Sequence, residues 1–170
     1  MAYSRTRDGN IWKGLAAGIA SGLLASWVMN KFQAELAQLE NGGKKKRSSG
    51  GEDATIKTAD RVSRGLLNHK LTKKGKAVAG PVVHYAMGAV SGAIYGAMSE
   101  FLPVTKRWLG LPFGAALWLI ADEVALPALG LSKKPTDYPA GVHVRALASH
   151  LVYGLSTHLV RKGVRRALAA

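Results

Sequence analysis

The sequence predicts an all-α integral membrane protein. It would have four transmembrane helices arranged as two pseudo-repeated helix pairs, with an amphipathic helix lying at the membrane interface in the first loop. Three observations predict it. Charge is spread unevenly, leaving four long stretches almost free of Asp, Glu, Lys and Arg. Two of these stretches carry glycine at every fourth position. The basic residues behind the net charge of +14 on 170 residues mostly flank the apolar stretches instead of interrupting them.

A bilayer core about 30 Å thick is crossed by roughly 20 helical residues. The first stretch, 14–30, reaches that length once Ile11 and Trp12 are included and Lys13 snorkels to the interface. No breaker follows before Asn41-Gly42-Gly43, so the first helix is expected over about 11–40. A basic start (Arg5, Arg7) resembles that of a signal peptide, but no small-residue cleavage site follows, so the helix is expected to be retained. The other helices are expected over about 77–102, 108–131 and 141–166 in one membrane domain, 1–170. A soluble bundle would show polar residues every three or four positions on its surface helices, and residues 14–30 and 85–99 show almost none.

The loop 41–76 opens with a basic tether, Lys44-Lys45-Lys46-Arg47, flanked by Gly and Ser. A helix over about 53–71 then places Ile56, Ala59, Val62, Leu66 and Leu67 on one side and Lys57, Arg61 and Arg64 on the other. That is the pattern of a helix lying on lipid. Lys44, Lys45, Lys46, Arg47, Lys57, Arg61 and Arg64 are expected to hold anionic lipid or an acidic partner, each worth about 1 kcal/mol near the surface. Nucleic acid is not expected: the charge sits beside apolar helices, and the loop has no aromatics for stacking on bases. Basic residues divide almost evenly between the two sides, so both termini share a side but the orientation stays open.

Gly14, Gly18 and Gly22 form one ladder and Gly88, Gly92 and Gly96 another, while the third helix starts with Gly110 and Gly114. Small residues at this spacing let helix backbones approach in lipid, where burial of apolar side chains gives little drive. The ladders are expected to pair with each other, the alternative being packing across an oligomer. Trp12-Lys13-Gly14 through Gly18 aligns with Trp108-Leu109-Gly110 through Gly114, and His84-xxx-Gly88 with His150-xxx-Gly154. Two parallel helix pairs related along the membrane normal would follow, with His84 and His150 at similar depth.

Asp122 and Glu123 lie about 18 Å into the third helix by the helical rise. A bare carboxylate there is costly, so both should be paired, protonated or facing water. The expected polar cluster is Asp122, Glu123, Arg145 and His150, with His143, His150 and His158 on one rough stripe. The cluster is expected to fix two helices together; the rival readings are a proton or ion path and, less favoured, haem held by His84 and His150. No resident cofactor is expected, since nothing aims two imidazoles at one plane. No His and carboxylate spacing supports a metal site. With no Cys, thiol catalysis and disulfides are excluded, and no GxSxG, P-loop or dinucleotide fingerprint appears, so the chain is not expected to be an enzyme.

Phe101-Leu102-Pro103-Val104-Thr105-Lys106-Arg107-Trp108, Leu126-Pro127-Ala128-Leu129-Gly130-Leu131, Pro135, Pro139 and Ser149-His150-Leu151-Val152-Tyr153-Gly154 carry a resemblance. They resemble the YagU-like family of bacterial inner-membrane proteins, a domain of unknown function. His150 and Pro127 match its pattern; Asp122-Glu123 is not part of what the resemblance covers. It implies a bacterial inner membrane and no settled activity. The functional expectation is a structural or accessory component of a membrane complex, acting through glycine-ladder packing and the basic loop, with a membrane-protein partner or a second copy. The alternative is a proton or ion conductor using Asp122, Glu123 and His150.

Overall fold

The computed structural model describes residues 10–40, 54–67 and 72–168, so Lys44 to Arg47 lie outside the described residues. The regular elements among these residues are all helical, with no strand. α1 is Ile11–Glu40, α2 Ala54–Leu67 and α3 Lys73–Phe101. A 3₁₀ segment, Pro103–Gly110, leads into α4, Leu111–Trp118. A π-helical stretch, Leu119–Ala125, and the short α5, Leu126–Ala128, complete the third apolar stretch, and α6 spans Ala140–Ala167. Among the described residues, three helices are long and apolar enough to cross a membrane: Ile11–Glu40, Lys74–Phe101 and Trp108–Ala128.

α3 starts at Thr72, whose side chain accepts from the Gly75 N–H, and it runs through Pro81. The third stretch is not the continuous α-helix that the apolar run 108–131 suggests. Trp108 and Leu109 both hold positive φ, followed by Gly110 at φ 81, so the chain turns sharply before α4 begins. At the far end Gly130, at φ 65, closes the helix while the Leu131 N–H bonds the Leu126 carbonyl.

α1 packs on α3 and on α6, α4 packs on α6, and α2 lies on α3. Gly14, Gly18 and Gly22 face Gly96, Gly92 and Gly88 in antiparallel register. A Cβ on Gly18 would lie under 3.0 Å from the Gly92 carbonyl oxygen, and one on Gly92 would meet the Gly18 carbonyl as closely. The second pair has the same construction: Gly110 meets the Gly154 carbonyl and Gly114 that of His150. This register corrects the repeat read from the sequence. If Gly14 and Gly18 answer to Gly110 and Gly114, then Gly96 answers to Gly154 and Gly92 to His150. Ser91-x-x-x-Tyr95-Gly96 falls on Ser149-x-x-x-Tyr153-Gly154. His84 and His150 are therefore not repeat mates; backbone contact sets the register about two turns from the His-to-His alignment.

Where backbones touch, no large side chain fits. The largest fully buried side chains are Tyr95, Thr157, Ser21, Ser26, Ser99 and Ser149. The large apolar ones point outward: Ile19, Leu23, Leu24 and Trp27 on α1, Val82, Val90 and Ile94 on α3, Ile120 and Val124 on the third stretch, Val144 and Leu159 on α6. A water-soluble bundle sorts its residues the other way.

Gly92→Ile should drive its side chain into α1 and cost about 3 kcal/mol. Gly163→Ala, with nothing within 4 Å of its Cβ, should be neutral or stabilising by up to about 1 kcal/mol. Thermal unfolding of the two variants in detergent checks the contrast; equal stability would remove the ladder's role.

Candidate functional site

The described residues border an open cavity of about 540 Å³ at the end of the bundle formed by the C-terminal half of α1 and the N-terminal halves of α3 and α6. Met29 and Asn30, His84, Asp122 and Glu123, Tyr138, and His143 and His150 line it, with Ala54, Thr55 and Ile56 of α2 at its edge. The π-helical stretch carries both carboxylates. Its i+5 bonding, seen where the Leu126 N–H reaches the Ala121 carbonyl, is a geometry frequent at functional sites.

Each carboxylate meets a different imidazole of α6. Glu123 Oε1 is 2.6 Å from His143 Nδ1, while His143 Nε2 is 3.0 Å from the Pro135 carbonyl. Asp122 Oδ2 is 3.7 Å from His150 Nδ1, which also lies 2.9 Å from the Ala146 carbonyl. Adjacent residues thus both engage α6, because His143 and His150 lie two turns apart and share its inner face. Two carboxylate–imidazole pairs around a cavity can accept and release protons at four positions. Among the described residues, no three His, Asp or Glu side chains converge as a metal would need.

Two expected members sit elsewhere. Arg145 turns outward and pairs with Glu40 at 2.5 Å, because its position on α6 faces the exposed end of α1 and not the cavity. His158, on the expected stripe, lies deeper in α6 and meets Tyr95. His84 lines the cavity with its ring edge-on to Tyr85.

The basic residues of α2 are partly committed within the chain. Arg61 donates to the Leu129 carbonyl, and Arg64 pairs with Asp60 at 2.5 Å. Ala59, Asp60 and Ser63 are buried and Ile56 lies against Gly80, so this face of α2 meets protein. Lys57, Arg61 and Arg64 remain together around a smaller cavity beside Gly130 and Leu131.

Sequence reasoning missed a second cluster, at the opposite end. Arg161 donates to Glu100 at 2.6 Å and Arg165 at 2.7 and 2.8 Å, with the Asn10 N–H 3.3 Å from the same carboxylate. The Glu100 and Arg161 side chains are only 6% and 7% exposed. Lys13 donates to the Leu168 carbonyl nearby, joining the start of α1 to the end of α6. The available signal was Glu100 itself, a lone acid closing an apolar helix at the end where the C-terminal basic residues gather.

Residues 66–159, more than half of the chain, match the profile of a family described as "Protein of unknown function (DUF1440)". The chain belongs to that family. It is 29% identical over 87 residues to "Inner membrane protein YagU" of Escherichia coli (strain K12), the match covering 51% of this chain and 43% of that protein. The YagU-like resemblance of the sequence and the family match agree. No solved structure matches. The matched segment holds Asp122, Glu123, His143 and His150, and excludes α1 and Arg161.

Glu100→Gln should leave Arg161 buried beside a neutral amide and destabilise the protein by about 3 kcal/mol or more. Arg145→Ala, breaking an exposed pair, should cost under about 1 kcal/mol. Chemical or thermal unfolding in detergent ranks the two; the reverse order would contradict the assignment.

Proposed function

We propose that the chain is a multi-pass protein of the bacterial inner membrane whose polar interior takes up protons from one side through Asp122, Glu123, His143 and His150. α6 supplies the fourth crossing, with Ser149, His158 and Arg161 facing inward and Val144 and Leu159 facing lipid. α2 lies at the interface, one face on α3 and its Lys57, Arg61 and Arg64 towards anionic headgroups. The start of α1 and the end of α6 lie at the end opposite the cavity. The observation that carries the proton reading is the cavity itself: ionisable groups inside a membrane bundle are expensive, and they mark proton and ion pathways.

The accessory role keeps one supporting observation. The third stretch packs mainly on α6 and leaves Leu119, Ile120 and Val124 exposed, a face that suits a partner helix as well as lipid. The glycine ladders no longer support that role, because α1 and α3 cover each other's.

Purified protein in liposomes loaded with a pH-sensitive dye should pass protons faster than empty liposomes. Asp122→Asn with Glu123→Gln should slow that flux by about tenfold or more. Wild-type flux equal to that of empty liposomes would reject conduction and leave the accessory reading.

A further inference from the structure

The cavity does not stop at an apolar floor. One turn beyond His84 and His150, the Tyr153 hydroxyl donates to the Gly88 carbonyl at 2.6 Å and lies 2.8 Å from Ser91 Oγ. Ser26 Oγ is buried against Gly88 and has no hydrogen-bond partner among the described residues. One turn further along α3, the Tyr95 hydroxyl is 2.8 Å from His158 Nδ1 and 3.0 Å from the Thr105 carbonyl. Thr105 belongs to the 3₁₀ segment at the opposite end of the bundle and is partly exposed. The cavity and that far end are thus linked by tiers of exchangeable protons, each about one helical turn, or roughly 6 Å, from the next.

We propose that Ser91, Tyr153, Tyr95 and His158 form a hydrogen-bonded relay that carries protons between the cavity and the Thr105 end of the bundle. The proposal rests on the proton-uptake reading and extends it by naming the route across the bundle. Each group accepts one proton on one side and releases another on the other, so no oxidant, reductant or leaving group is needed. The relay requires one water beside Ser26 and one between Ser91 and Tyr95 to bridge the remaining gaps. The hydroxyls also have carbonyl acceptors at hand, Met87 for Ser91, Gly88 for Tyr153 and Thr105 for Tyr95. Turning towards those acceptors resets each hydroxyl after a transfer.

A hydrogen-bonded relay hands protons on from group to group without an open pore, so Na⁺ and K⁺ have no path along it.

The test uses the full chain in liposomes, with proton flux driven by a potassium diffusion potential and read by an enclosed pH dye. Tyr153→Phe and His158→Gln should each lower the wild-type flux by about tenfold, the effect of removing one transfer hydrogen bond from the path. Ser91→Ala and Tyr95→Phe are read in their place should either of those variants fail to fold in detergent. Replacing the driving gradient with Na⁺ should give no ion flux. Wild-type rates in the folded relay variants, with Asp122→Asn still slow, would overturn the relay and leave the cavity's role standing. Wild-type flux no faster than that of empty liposomes would overturn both.

Discussion

Contact between the backbones of Gly18 and Gly92 is the constraint from which the rest of the bundle follows. With no Cβ on either residue, α1 and α3 approach until a carbonyl of one rests on the Cα surface of the other. Gly110, Gly114 and Gly154 repeat the approach between the third stretch and α6. Helices this close have no room between them for Leu or Ile. Most large apolar residues turn outward, and the contact surfaces are left mainly to Ser, Thr, Ala, Gly and two tyrosines, with Met29 among the few large apolar side chains buried. Dispersion and hydrogen bonding hold such a core; the hydrophobic effect contributes little to it.

That interior explains both polar sites. A core of hydroxyls accommodates charged groups that a hydrocarbon core would reject, and the chain uses this at its two ends in different ways. At one end Glu100 pairs with two arginines and closes the bundle. At the other end the helices leave a cavity into which Asp122, Glu123, His143 and His150 project. The first arrangement satisfies every oxygen of the carboxylate. The second leaves room for water, and so for exchange.

Periodicity and charge distribution revealed the helices well, because glycine spacing and the lack of charge are properties of single segments. Gly14, Gly18 and Gly22 announced a close contact, and Asp122-Glu123 announced a polar site, without any knowledge of neighbours. Pairing was harder to read. Which helix Arg145 faces depends on rotation about α6: the sequence groups it with Asp122, Glu123 and His150, and it reaches Glu40 instead. A shared histidine draws the alignment of the two helices, whereas the glycine contacts bring Ser-x-x-x-Tyr-Gly of each into equivalent places. The π turn and the left-handed run Trp108 to Gly110 have no simple residue signature. Glu100 was passed over because it sits in a last turn, where a charge ordinarily meets water.

The outward apolar surface is the claim on which all of this depends, and the chain's lack of cysteine makes it directly measurable. Leu23, Ile94, Val124 and Leu159 are each at least 41% exposed on the protein itself, so only an external medium can shield them. Single Cys substitutions at these four positions, treated with a water-soluble maleimide in intact membranes, should stay unlabelled. Labelling of all four at the rate of a Cys placed at Lys134 would show that water, not lipid, surrounds the bundle, and would contradict the account.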